Sequence, residues 1–215
     1  MDIGSFKDEK FEDNLQEQRD EVFALQSIFN TDDEEKLKIL SEVTEDKDNL
    51  FTLLVLICPK PVQEAIQVDV VVPAVVDEDD EELEGAAAAP PMNEASSPPS
   101  FANNIQLSRS LSGQRWQGSF VVKFLSPMNL LVTFPPTYPS SSPPNFHVSC
   151  EWLTPSQLEA LESMLQSLWS EACHMPIIFT WVDWLENNCL SHLAITDQLM
   201  LRPSVASHDD MQETS

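Results

Sequence analysis

The apolar positions near the start of the chain recur at helical spacing. Those on one face of the pattern are Phe11, Leu15, Val22, Leu25, Ile28 and Phe29. The charged residues on the opposite face include Glu12, Asp13, Glu17, Arg19, Asp20 and Glu21. The pattern therefore predicts an amphipathic helix over about residues 8–29.

Strand patterns follow this helix. Residues 37–43 predict a short first strand, and the apolar run at residues 50–58 predicts a buried one. Residues 66–72 alternate between apolar and polar side chains, which is typical of a half-buried strand. Alternation at residues 120–124 and 130–134 predicts two further strands joined as a hairpin. A single bent strand over those last two segments is the alternative.

A proline-rich segment, residues 135–144, connects these strands to another at residues 146–152; we call it the crossover. Four prolines between Pro136 and Pro144 exclude a helix and cannot donate to a sheet. Each proline also favours extended geometry in the residue before it. The segment therefore predicts a stiff connection, and the residues that mark it are Tyr138, Pro139, Pro143 and Pro144.

The next segment carries a helix start signal. Thr154 occupies the cap position, Pro155 the first helical position, and Gln157 completes a capping box. A second C-terminal helix is predicted over about residues 179–193. The order of elements predicts an α+β fold: an N-terminal helix, an antiparallel four-stranded sheet and two C-terminal helices on one face of it.

The length and composition of this 215-residue chain predict one domain with polar tails. We expect a polar N-terminal tail at residues 1–14, a domain at residues 15–195 and a polar C-terminal tail at residues 196–215. Residues 77–104 begin with seven acids in eight positions and continue in alanine, proline and serine. This composition predicts a disordered insertion in the domain.

The formal net charge of −25 limits the classes of partner. Such a chain repels phosphate backbones and anionic membrane surfaces, so we expect neither nucleic acid nor membrane as a partner. The longest apolar run, Leu53–Cys58, is too short to cross a bilayer. The polar, acidic start of the chain does not resemble a targeting segment. We therefore expect the protein in the cytoplasm, the nucleus or both.

Four cysteines occur singly, at positions 58, 150, 173 and 189. Because no two form a CxxC pair, the usual zinc modules cannot be built from them. Cys173, His174 and His192 also fail as a metal site by number and spacing. We expect reduced thiols, no metal ion and no cofactor.

The helical segment Asp20–Phe29 and the motif Tyr138-Pro139-x-x-x-Pro143-Pro144 resemble the RWD domain family. With residues 134–144 and 152–158, the chain is further similar to the N-terminal RWD domains of RING-in-between-RING E3 ubiquitin ligases. The resemblance covers about residues 17–195 without the insertion. It implies a fold related to ubiquitin-conjugating enzymes, typically without their catalytic cysteine.

This resemblance implies a non-catalytic protein-interaction module that acts as the recruitment domain of such a ligase. It implies protein partners, from the ubiquitin pathway or the ribosome-associated activator of the amino-acid-starvation kinase. One alternative is a fragment of a catalytically active ligase, because ligases of this type carry three zinc modules that are not found here. A second is a stand-alone adaptor in translational control.

Conjugating enzymes place a catalytic cysteine after the proline motif, preceded by a His-Pro-Asn element. Here Val148 and Ser149 follow His147, so the element is missing. Cys150 continues the alternation of Phe146 and Val148 on the buried face, where burial raises the pKa of a thiol. Cys173 beside His174 is a poor pair, because adjacent helical residues point about 100° apart. We expect no catalytic residue.

Two further segments are candidate partner contacts. Trp169, Trp181 and Trp184 lie at helical spacing, which favours the core, yet three tryptophans in sixteen residues also fit partner anchors. The β-branched segment Val68–Val71 beside acids could add to the sheet of a ubiquitin-like modifier. Its alternation favours an internal strand of the domain instead.

Overall fold

The structure, a computed structural model, describes residues 3–31, 34–41, 51–73, 108–109, 115–172 and 175–201. The insertion predicted at residues 77–104 lies outside these ranges, as do Cys173 and His174. Within them, the helices are α1 (Ile3–Phe29), α2 (Pro155–Glu171) and α3 (Ile178–His192). The strands are β1 (Leu37–Ser41), β2 (Thr52–Ile57), β3 (Ile66–Pro73), β4 (Ser108–Arg109), β5 (Arg115–Val122), β6 (Met128–Thr133), β7 (Asn145–Ser149) and β8 (Gln198–Leu201).

The chain divides into two compact units. The first comprises Met1–Glu64 and Lys123–Thr196, and the second comprises Ala65–Val122 and Asp197–Ser215. The first unit holds an antiparallel sheet of order β1-β2-β6-β7 together with the three helices. The predicted α+β class and antiparallel four-stranded sheet are therefore confirmed.

The core of the first unit forms where alternate residues of β2 and β6 point to one face of the sheet. The fully buried residues on that face are Leu53, Val55, Ile57, Met128, Leu130 and Val132. Helices α2 and α3 cover them with apolar faces, and Leu165 and Trp181 are also fully buried. The ring of Trp181 lies 4.6 Å from that of Phe146 in β7, so α3 packs directly on the sheet.

The second unit holds a sheet of order β4-β5-β3-β8. Strand β3 pairs antiparallel with β5 and parallel with β8, and its Ile66 and Val68 are buried. The half-buried internal strand predicted at residues 66–72 is thus confirmed. Strand β8 lies inside the segment predicted as a polar tail, where Leu199 is buried. Three consecutive apolar residues, Leu199–Leu201, explain why this part of the tail joins a sheet.

The hairpin predicted from residues 120–134 is wrong. Strand β5 pairs with β3 and β4, whereas β6 pairs with β2 and β7, so the two strands belong to different sheets. The bent-strand alternative fails for the same reason. The segment between them contains Pro127, which lacks an N–H, and Phe124, which is 83% exposed. Each strand has one distant partner, β3 for β5 and β2 for β6, and one nearer partner, β4 for β5 and β7 for β6.

Helix α1 begins at Ile3, five residues before the predicted start. It therefore includes most of the segment expected to be a polar tail at residues 1–14. No proline lies between Ile3 and Phe29, so nothing in the backbone stops the helix from extending towards the N-terminus.

The capping box predicted for α2 is confirmed. The backbone N–H of Thr154 donates to Gln157 Oε1 at 2.9 Å, and the N–H of Gln157 donates to Thr154 Oγ1 at 3.4 Å. Pro155 occupies the first helical position. All of the partners lie within four residues, so the signal was complete in the local sequence.

Helix α3 ends in a Schellman motif. The N–H of Ile195 donates to the carbonyl of Leu190 at 2.8 Å, and the N–H of Ala194 donates to that of Ser191 at 3.1 Å. Ala194 has φ of 56°, a left-handed conformation in which its Cβ is crowded. Glycine usually occupies this position.

We expect Ala194→Gly to raise the free energy of unfolding by about 0.5–1 kcal/mol, because relief of the Cβ crowding exceeds the entropic cost of glycine. Urea denaturation measures the change. Ala172→Gly is the matched control, since Ala172 caps α2 with φ of −73°. It should lower stability instead. A destabilised Ala194→Gly variant would contradict the prediction.

Candidate interaction site

One polar stripe of α1 binds the backbone of the crossover. Asn14 Nδ2 donates to the carbonyl of Pro136 at 3.0 Å. Gln18 Nε2 donates to the carbonyls of Pro135 at 3.0 Å and Tyr138 at 2.8 Å. Both amide side chains are buried, so these hydrogen bonds satisfy groups that water does not reach. The helix thus holds the crossover through its carbonyls.

Tyr138 fills the space beneath the crossover. It is fully buried, and its ring centroid lies 4.8 Å from that of Phe134 and 5.7 Å from that of Trp169 in α2. Its hydroxyl donates to Glu21 Oε2 at 2.7 Å and accepts from the N–H of Ile177 at 2.9 Å. Both hydrogen-bonding roles of the hydroxyl are therefore used.

Glu21 completes the arrangement by accepting from α3. Its Oε1 accepts from the N–H of Ile178 at 3.0 Å, and its side chain is largely buried, with 8% of the residue exposed. We call Glu21, Tyr138 and the N–H groups of Ile177 and Ile178 the hub. The hub joins α1, the crossover and the start of α3.

The hub caps α3 from outside that helix. The N-cap residue of α3 is Ile177, which makes no side-chain capping hydrogen bond. The first N–H groups of a helix lack partners within the helix, and its N-terminus favours negative charge. Glu21 and Tyr138 supply the acceptors that the apolar Ile177 cannot. The start of α3 is consequently fixed by residues that lie far away in sequence.

The two side chains of the hub have opposite acid–base behaviour at neutral pH. Burial raises the pKa of Glu21 to about 7, although the hydrogen bonds from Tyr138 and the α3 amides lower it in part. Burial and the nearby carboxylate of Glu21 raise the pKa of Tyr138 above its usual range. Tyr138 thus remains a donor, while Glu21 gains and loses its proton near neutrality.

The position of the crossover was predicted correctly from the sequence, but the α1 residues that bind it were not predicted. Glu21 was assigned to the exposed, charged face of α1, and that assignment is wrong. The overlooked signal was the spacing of Asn14, Gln18 and Glu21, which puts three polar side chains on one stripe of the helix. Of the predicted motif residues, Pro139 and Pro144 are buried with Tyr138, whereas Pro143 is exposed.

The three C-terminal tryptophans occupy different environments. Trp181 is fully buried, and its Nε1 donates to the carbonyl of Leu165 at 2.9 Å, which makes it a core residue. In this fold it cannot touch a partner. Trp169 and Trp184 are half-buried, and the ring of Trp184 lies edge-on to that of His192 at 5.3 Å. A partner contact at either residue stays a prediction.

An aromatic pair on the surface was not predicted. The rings of Phe29, at the end of α1, and Phe179, in the first turn of α3, stack with centroids 6.1 Å apart. Phe179 is 50% exposed, and Ile28 is 51% exposed. Exposed apolar groups of this size are typical of protein-binding surfaces when they occur together.

The described thiols lie in environments that suppress reactivity. Burial raises the pKa of Cys58 and Cys150, and it raises that of the fully buried Cys189 to about 12. A thiol with a raised pKa is mostly protonated at neutral pH and is a poor nucleophile. His147, beyond the crossover, contacts Glu162 Oε1 through Nδ1 at 3.1 Å rather than a cysteine.

The described ranges contain neither a metal-ligating cluster nor a membrane-spanning helix. No group of three or more His, Cys, Asp or Glu side chains there is arranged to hold a metal ion. None of the helices in those ranges is long and apolar enough to cross a membrane.

Comparison with known proteins agrees with the fold and the motif. The family model described as "RWD domain" matches residues 16–189 of the chain. This match confirms the resemblance inferred from residues 20–29 and from the Tyr138–Pro144 motif.

Curated relatives resemble part of the chain. E3 ubiquitin-protein ligase RNF14 of Homo sapiens is 40% identical over 83 residues, which are 39% of this chain and 18% of that protein. The Mus musculus protein of the same name is also 40% identical over 83 residues, 17% of its length. Protein IMPACT homolog of Caenorhabditis elegans is 33% identical over 67 residues, 31% of this chain and 26% of that protein. The matched segments thus span about a quarter or less of these relatives.

Proposed function

The chain belongs to the RWD domain family, and from this premise we propose that it is a non-catalytic protein-interaction module of ubiquitin signalling. More specifically, it acts as the recruitment domain of a RING-in-between-RING E3 ubiquitin ligase, in the cytoplasm or the nucleus. The similarity to RNF14, a protein named as an E3 ubiquitin-protein ligase, supports this role.

The hub is the observation that carries the non-catalytic part of the proposal. In conjugating enzymes, a catalytic loop follows the proline motif. Here β7 and the capped helix α2 follow it, and Tyr138 is fully buried beneath it with both roles of its hydroxyl in use. Cys150, the nearest described cysteine downstream, has a pKa raised by burial. The motif therefore serves packing rather than chemistry.

The surface of the first unit offers two candidate contacts for a partner. One is the exposed pair of Phe29 and Phe179, and the other is the half-buried ring of Trp184. Aromatic residues with exposed faces supply large apolar contact area, and tryptophan is enriched among residues that dominate binding energy. Partner recognition through these rings would need no ligand, metal or cofactor.

Two alternative functions rest on the similarities to these relatives. The chain is a piece of a catalytically active ligase if zinc modules accompany it, since the RNF14 match covers only 18% of that protein. It is a stand-alone adaptor in translational control if the match to Protein IMPACT homolog reflects a shared role. The adaptor would bind the ribosome-associated activator of the amino-acid-starvation kinase.

Binding to defined probes tests the proposal. The full chain is immobilised and offered purified ubiquitin-charged conjugating enzyme or the recombinant activator of the starvation kinase. We expect retention of at least one probe and a reduction of about tenfold or more in Phe179→Ala or Trp184→Ala, as for truncated anchor residues. Phe124→Ala is the control, because Phe124 is equally aromatic and 83% exposed but lies outside both contacts.

The outcomes separate the functions. Retention of the charged conjugating enzyme supports ubiquitin signalling, and retention of the activator alone supports the adaptor. Retention of neither probe contradicts the proposal. A ubiquitin adduct on the chain that a reducing agent removes would contradict its non-catalytic part.

A further inference from the structure

Glu21 is a buried carboxyl group whose partners are all neutral. It is 8% exposed and accepts from the hydroxyl of Tyr138 and the N–H of Ile178. Within the described residues, no lysine, arginine or histidine forms a hydrogen bond or ion pair with it. A buried negative charge without a cation is costly, so its protonation state matters for the structure around it.

The groups that face Glu21 come from three elements. On α1 itself, Glu17 lies one turn earlier and its charge raises the pKa of Glu21. The crossover contributes the Tyr138 hydroxyl, and α3 contributes the backbone amides of Ile177 and Ile178. His174 precedes Ile177 by three residues and lies outside the described ranges, so it requires a control of its own.

The cost of burying the negative charge of Glu21 can be relieved in two ways. It can take up a proton, or the start of α3 can release its amides and admit water. Because burial raises the pKa of Glu21 to about 7, the closed arrangement favours the protonated form over a wide range below neutrality. An open arrangement would solvate the carboxylate and return its pKa towards 4.5. Opening therefore becomes more favourable as the pH rises between these values.

We propose that the hub is a proton-controlled latch on the start of α3, closed when Glu21 is protonated and loosened when Glu21 ionises. The latch also governs the surface, because Phe179 directly follows Ile178 and stacks on Phe29. Any partner that binds this aromatic pair would thus bind in a pH-dependent manner. The latch itself does not depend on which partner binds.

Amide hydrogen exchange of the full chain tests the latch. Protection factors of the Ile177 and Ile178 amides, corrected for intrinsic exchange, are measured at pH 6 and pH 8. We expect them to fall about tenfold over this interval, as linkage between pKa values of about 7 and 4.5 requires. Amides in the middle of α2, such as that of the fully buried Leu165, report global unfolding. Local opening of the start of α3 should leave the Ile177 and Ile178 amides less protected than that of Leu165 at both pH values.

Two variants identify the titrating group. Glu21→Gln keeps the size of the side chain and should remove the pH dependence, whereas His174→Asn should preserve it. Unchanged protection in the wild type, a fall that persists in Glu21→Gln, or a fall that disappears in His174→Asn would each overturn the proposal.

A measurement on the wild type covers the case in which Glu21→Gln does not fold. The carboxyl carbon shift of Glu21, followed by NMR, reports its titration directly. A midpoint near pH 7 supports the latch, and a midpoint below pH 5 overturns it.

Discussion

We expect the replacement of Tyr138 with alanine to lower the free energy of unfolding by about 4 kcal/mol. Loss of a large buried aromatic from a packed site costs about 3–5 kcal/mol. The ring is fully buried between Phe134 and Trp169, and the variant also leaves Glu21 and the Ile177 amide without their shared partner. The crossover, α1 and the start of α3 all lose a common contact.

Urea denaturation of the full chain measures this loss. The matched control is Phe124→Ala, which also removes an aromatic ring, but one that is 83% exposed. We expect the control to stay within about 0.5 kcal/mol of the wild type. A loss below about 1 kcal/mol in Tyr138→Ala would show that Tyr138 is not packed beneath the crossover.

The second large effect is a loss of stability with rising pH that Glu21 causes. The pKa of Glu21 is about 7 in the folded chain and about 4.5 in the unfolded chain, so the folded chain holds the proton more tightly. The resulting stabilisation is complete below about pH 4.5, declines as the pH rises and is absent above about pH 7. At 1.36 kcal/mol for each pKa unit, the decline is about 3 kcal/mol.

The comparison of wild type with Glu21→Gln isolates this contribution. A chain with a net charge of −25 has many other carboxylates that titrate over the same range. The difference between the two free energies of unfolding removes what they share. We expect this difference to change by about 3 kcal/mol between pH 4.5 and pH 7.5. If it is constant, the pKa of Glu21 is not raised in the folded chain.

Features encoded by neighbouring residues could be predicted from the sequence. The capping box of α2 lies between Thr154 and Gln157, and the buried pattern of β2 lies within six residues. The crossover was recognisable because proline restricts the backbone wherever it occurs. Such signals need no knowledge of the rest of the fold, which is why the class and the sheet of the first unit were predicted.

Features that depend on distant partners could not be predicted in this way. Strands β5 and β6 alternate as a hairpin would, yet each pairs with strands elsewhere in the chain. Glu21 resembles any other acid of α1, because its hub partners Tyr138 and Ile178 lie 117 and 157 residues away. The free-energy cost of burying this carboxyl group is offset by hydrogen bonds from those two donors. Their proximity to Glu21 exists only in the folded chain, so it could not be predicted from the sequence.

A double-mutant cycle between Glu21 and Tyr138 tests the hub most directly. The free energies of unfolding of wild type, Glu21→Ala, Tyr138→Phe and the double variant are measured by urea denaturation at pH 6, where Glu21 is protonated and the hub is closed. We expect Tyr138→Phe alone to cost about 2 kcal/mol, because it leaves buried groups unsatisfied. A coupling energy of about 1–2 kcal/mol between the two residues is the predicted result, and additivity within about 0.3 kcal/mol would contradict it.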